Sequence, residues 1–118
     1  MRTHKDLDAW KNSMELAHEV YKFTANYPQS ELYGLANQMR RAAVSVPSNI
    51  AEGAARVSAK EFARFLCISQ GSLAELETQT ILSGRLGFLQ PQDSTKLLGE
   101  MNLVRAQLAG LTRYLKRK

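Results

Sequence analysis

Glu15-Leu-Ala-His18 is the one place in the sequence where a carboxylate and an imidazole stand at the three-residue spacing used by di-iron helical bundles. Such a centre also needs a second Glu-x-x-His and two further inward carboxylates. The other histidine, His4, has no glutamate three residues before it, and both Glu15 and His18 fall on the charged arc of their segment. No metal site is expected. Glu75 and Glu77 lie two residues apart, so on a helix they diverge by roughly 200° and cannot work as an acid–base pair. The serines have no histidine placed to activate one, and no glycine-rich loop follows a strand to cradle phosphate. The single cysteine, Cys67, has no disulfide partner and no Cys or His at zinc-ligand spacing, and it reads as a half-buried helical residue. These residues predict neither an enzyme nor a cofactor.

Two constellations remain. In Gln38-Met-Arg40-Arg41-Ala-Ala-Val-Ser-Val-Pro47-Ser-Asn49-Ile-Ala-Glu52-Gly53, specific polar residues share a helix with an apolar face. Arg40, Arg41, Asn49 and Glu52, with Glu75 and Glu77 from the next segment, predict a structural polar network in which Arg40 or Arg41 pairs with a glutamate, within the bundle or across an interface; a ligand site is the equal alternative. The second constellation is Arg113, Lys116, Arg117 and Lys118, four cations in the last six residues. Formal net charge is +5, divided as +1 over residues 1–59 and +4 over residues 60–118. Cations in a last helical turn complement the helix dipole, and a cluster of them also suits a polyanion such as RNA or DNA.

The elements that must hold these groups are helices. Breaks at residues 28–30, 56–58 and 87–91 divide the chain into four segments of helical length, and no segment shows strand alternation. The first, roughly 7–26, carries two adjacent apolar stripes. Trp10, Met14, Ala17, Tyr21 and Thr24 form one, taken as the inner face; Ala9, Leu16, Val20, Phe23 and Tyr27 form the other. The second, roughly 31–55, has Leu35, Met39, Ala42, Val46, Ile50 and Gly53 inside, and its stripe keeps phase across Pro47, which predicts a kink and not an end. The third opens on the capping box Ser58-Ala-Lys-Glu61, carries Phe62, Phe65, Leu66, Ser69, Leu73, Leu76 and Thr80 inward, and stops at Gly87. The fourth begins near Pro91 and packs Leu97, Met101, Val104, Leu108, Leu111 and Leu115 at alternating spacings of four and three. Four such segments on short links predict an all-α, antiparallel up-and-down four-helix bundle as one domain over residues 1–118.

Composition agrees. With 44% hydrophobic and 23% charged residues the chain is globular in character, and one cysteine fits a reducing compartment. Met1-Arg-Thr-His-Lys-Asp6 lacks the apolar stretch of a signal peptide, and no run approaches the roughly 18 apolar residues of a membrane span. A cytoplasmic protein without a membrane partner is expected. Leu16, Phe23 and Tyr27, with Val44 and Ile68, lie off the inner stripes and would be wet in a lone bundle, so self-association is expected.

Several runs, in order and nearly end to end, resemble one known family. They are Asp6-Leu-Asp-Ala-Trp10, Tyr33-Gly-Leu35, the Gln38–Gly53 run, Glu61-Phe-Ala-Arg-Phe-Leu66, Gly71-Ser-Leu-Ala-Glu-Leu-Glu-Thr-Gln79 and Leu86-Gly-Phe88. The family is that of the bacterial 23S rRNA intervening-sequence proteins. The resemblance implies a four-helix bundle that assembles as a ring-shaped homopentamer, like accessory proteins of diversity-generating retroelements, and relatives that are basic and contact nucleic acid. It implies no biochemical activity, because function resides in sites and not in folds. Two functions follow as expectations: a non-enzymatic oligomer that associates with nucleic acid through its basic surface, and a protein-interaction scaffold whose charge serves solubility.

Overall fold

The computed structural model describes residues 3–117. After a 3-10 turn over His4–Asp6 come helices α1 (Asp8–Thr24), α2 (Leu35–Ala54), α3 (Ala59–Arg85) and α4 (Pro91–Lys116), with a second 3-10 turn at Gln29–Glu31 before α2. Packing joins α1 to α2, α2 to α3, α3 to α4 and α4 back to α1. The α1–α4 and α2–α3 pairs are antiparallel by their contacts. Asn12 meets Gln107 while Glu19 meets Lys96, and Ser83 meets Met39 while Ser72 meets Ser45. The result is an up-and-down four-helix bundle measuring 46 × 23 × 22 Å.

Local chemistry explains the helix ends. The Ser58 hydroxyl accepts the Glu61 amide at 3.1 Å, but the Glu61 carboxylate turns to Arg64 and leaves the capping box half formed. At the far end of α3, Gly87 takes φ +82, the Phe88 amide reaches the Ser83 carbonyl at 2.9 Å and the Gly87 amide reaches Gly84 at 3.1 Å. This pair of bonds is a Schellman stop, which needs a residue free to enter the left-handed region. α2 continues through Pro47, which is buried inside the helix.

One hydrophobic core runs through the bundle, and the expected inner stripes of α2, α3 and α4 face it apart from Phe65, which is buried beneath Arg56 and Arg64 instead. α1 is different. Leu16 and Val20 are wholly buried and Tyr27 nearly so, whereas Met14 and Tyr21 are 45% and 46% exposed. The inner face of α1 therefore straddles the two stripes, with Ala9, Leu16 and Val20 buried from one and Ala17 and Thr24 from the other. Of the residues expected to be wet, Leu16 is buried because α1 packs against both α2 and α4, Phe23 is partly buried against the core, and Tyr27, in the link after α1, is buried where it meets Met39 and Phe88. Val44 and Ile68 do remain exposed.

Between α1 and α4, burial and the nearby Glu19 carboxylate raise the pKa of Glu100, with Lys96 pulling the other way and Glu15 adding a smaller push. A carboxyl whose folded pKa is raised favours the fold in its protonated form, and that contribution is lost as pH rises through the folded pKa. Glu100→Gln is accordingly expected to melt higher than wild type at pH 7, with the gain shrinking as pH falls toward the ordinary carboxylate range. Melting curves across pH check it; a gain independent of pH would point to packing instead of charge.

Candidate nucleic-acid interface

Arg113, Lys116 and Arg117 are exposed on the final turns of α4, and Lys118 lies outside the described residues. The antiparallel order brings the start of α3 to the same end of the bundle, and with it Lys60 and Arg64, followed by Arg56 from the turn that ends α2. The sequence reading missed these three, because they stand about fifty residues from the tail and show no charge run of their own.

Two of the added cations are held in place. The guanidinium of Arg56 sits 4.9 Å from the centroid of the Phe65 ring and that of Arg64 sits 4.8 Å from it, so one ring holds two like charges near each other. Each has a carboxylate as well, Glu52 for Arg56 at 3.6 Å and Glu61 for Arg64 at 3.2 Å. These pairs are exposed and contribute little to stability. Lys60, Arg113, Lys116 and Arg117 have no carboxylate partner among the described residues. These six cations, with Lys5 from the turn before α1, outnumber the carboxylates of Glu52, Glu61, Asp6 and Asp8 at the same end, which retains a positive balance.

Of the residues expected to share one polar network, Arg40, Asn49, Glu52 and Glu77 sit in separate contacts. Arg40 donates to the Thr24 hydroxyl at 2.8 Å and stacks on Tyr21 at 4.8 Å, joining α2 to α1. Asn49 donates to the Ser45 carbonyl and hydroxyl, and Ser45 shares a 2.8 Å bond with Ser72, joining α2 to α3. Glu77 pairs with Arg105 of α4 at 3.1 Å, and Glu52 with Arg56. Within the chain, no ion pair joins Arg40 or Arg41 to Glu75 or Glu77 among the described residues. Glu77 points to the α4 side of α3, while Arg41 and Glu75 are exposed and face a polar cleft of about 320 Å³ between α2 and α3, neither with a hydrogen bond or ion pair among the described residues.

Glu15 and His18 are both exposed, and no group of three or more metal-binding side chains occurs among the described residues. Within the same limits no helix is long and apolar enough to cross a membrane. On its other side, between α1 and α2, the molecule carries an apolar groove of about 630 Å³ where Trp10, Met14, Tyr21 and Val44 meet Pro47.

Fold and surface together define the class: an all-helical four-helix bundle with a cationic end and an uncovered apolar groove. The chain belongs to the 23S rRNA-intervening sequence protein family, whose model matches residues 5–110. Among solved structures it is similar to a protein of unknown function from the S23 ribosomal protein family of Bacteroides thetaiotaomicron. That likeness has a TM-score of 0.79 at 20% identity and covers 88% of this chain and 97% of the other, which makes it a likeness of fold. No curated protein matches the sequence.

Proposed function

We propose that the chain is a non-enzymatic, self-associating cytoplasmic bundle whose basic end contacts RNA or DNA. The observation that carries this reading is the gathering of Arg56, Lys60 and Arg64 beside Arg113, Lys116 and Arg117, six cations drawn from distant parts of the chain onto one end. A dipole-complementing tail accounts for the last turn of α4 but not for cations at the start of α3, where the helix dipole is itself positive. The family's name, with its tie to 23S rRNA, supports the same reading. Self-association is supported by the α1–α2 groove, where Met14, Tyr21 and Val44 remain between 41% and 46% exposed. Identical head-to-tail contacts that close by rotation give a ring, and the family resemblance favours five copies. A ring repeats the basic end in every subunit and adds avidity without any new contact.

Binding of RNA and DNA oligonucleotides across a salt series tests the reading. If each subunit neutralises about four phosphates of a single strand, the logarithmic salt slope is about −2.8 and affinity falls roughly fiftyfold between 50 and 200 mM salt. Changing Arg113, Lys116, Arg117 and Lys118 together to Gln is expected to flatten that slope and leave the mass in light scattering unchanged. Wild-type protein that binds no nucleic acid at 50 mM salt would move the scaffold reading into first place. A monomer mass at micromolar concentration would remove the ring.

A further inference from the structure

We infer that the cleft between the first turns of α3 and the last turns of α4 receives unpaired nucleobases, so that the basic end selects single-stranded over duplex nucleic acid. The inference rests on the basic end being a nucleic-acid surface and adds which kind of strand it takes.

The cleft has a volume of about 490 Å³. Its floor is apolar. Ala59, Ala63 and Cys67 recur every four residues and so lie one above another along α3, and Leu115 closes the floor from α4. Its walls are cationic: Lys60 and Arg64 stand one position further round α3, one helical turn apart, and Lys116 stands on the α4 side. The one carboxylate lining it, Glu61, is occupied by Arg64. An apolar strip between two cationic walls matches a polymer that carries flat apolar faces beside a charged backbone. A single strand has both within reach at once, whereas a duplex hides its base faces in the stack and presents phosphate and sugar. Packed helices stand about 8–10 Å apart, so the space between two of them suits the edge of a base and not the body of a duplex.

An acidic peptide helix would satisfy the floor and the walls as well. The nucleic acid is favoured because the cations do not end with the cleft. Arg56, Arg113 and Arg117 continue around the end of the bundle, and Val57 on the α2–α3 turn is fully exposed among them. A strand can follow that track, while a helix lying in the cleft would reach only its walls.

Cys67 makes the inference testable in the intact chain, being its single cysteine, exposed, and part of the cleft floor. The measurement is the rate of maleimide labelling at low salt with saturating 20-nucleotide oligo(U) or oligo(dT), a 20-base-pair duplex, or poly-L-glutamate. Single strands are expected to slow labelling at least tenfold, the duplex and poly-L-glutamate less than twofold, and Ala63→Leu to weaken single-strand binding about tenfold while sparing duplex binding. Single strands that bind without protecting Cys67 overturn the inference and leave the nucleic-acid reading standing. So does equal protection by duplex, which means backbone contact alone, or by poly-L-glutamate, which means an acidic protein partner. A thiol that resists labelling before any polymer is added overturns it too, since another subunit then fills the cleft. Absence of binding by every oligonucleotide overturns the underlying reading and the inference with it.

Discussion

Replacing Leu108 with Ala is expected to cost about 2–5 kcal/mol of unfolding free energy. Leu108 sits in the middle of the α4 seam and has no exposed surface. Truncation removes the transfer free energy of three carbons and leaves a cavity that the surrounding helices cannot close. Their backbones are fixed by contacts on either side of the site, Asn12 with Gln107 and Gln70 with the Arg105 carbonyl among them. Leu103 supplies the control, because it lies on the same helix and is 50% exposed. Leu103→Ala is expected to change stability by less than about 0.5 kcal/mol, as surface substitutions do. Urea melts of the two variants decide the matter: equal losses would show that the seam is not the core of the folded protein in solution.

Adding one methyl at Gly53 is the second large effect. A Cβ there would lie 2.7 Å from the Phe65 Cβ, 2.9 Å from the Phe62 Cδ1 and 3.2 Å from the Phe62 carbonyl oxygen. None of these is the end of a flexible side chain, so α2 and α3 must separate to admit it. Overpacking of this kind costs about 1–3 kcal/mol, and Ala recovers only about 0.5–1 kcal/mol in helix propensity. Gly53→Ala is therefore expected to destabilise, although Gly→Ala inside a helix ordinarily does the opposite. Gly71 in α3 shows the ordinary case, because a Cβ there meets nothing within 4 Å. Gly71→Ala is expected to raise stability by about 0.4–1 kcal/mol. If both variants moved stability in the same direction, the close approach of α2 to α3 at Gly53 would be refuted. Since that approach also brings Phe65 of α3 under Arg56 at the end of α2, Gly53→Ala is expected to weaken the proposed nucleic-acid binding as well.

Helix number, boundaries and most inward faces were readable in the sequence because the forces that set them act over three or four residues. Ser58 caps α3 through an amide three residues away, Gly87 stops it by its own backbone freedom, and the seam from Leu97 to Leu115 announces itself by spacing. The same local rules excluded a paired role for Glu75 and Glu77, whose side chains leave α3 in different directions.

Only the tertiary structure decided what each face meets. Periodicity says that two stripes of α1 are apolar, but it does not say which of them neighbouring helices will cover. Contact with α2 and α4 together buried Leu16 and Val20 and left Met14 and Tyr21 outside. Glu77 found Arg105, and Arg40 found Thr24 and Tyr21, because partners are chosen by the distance between helices and not by separation along the chain. The tail cations were visible in the sequence as a run, yet the site they belong to was not. Antiparallel packing returns the chain to the same end every second crossing, and only that return sets Lys60 and Arg64 beside Lys116.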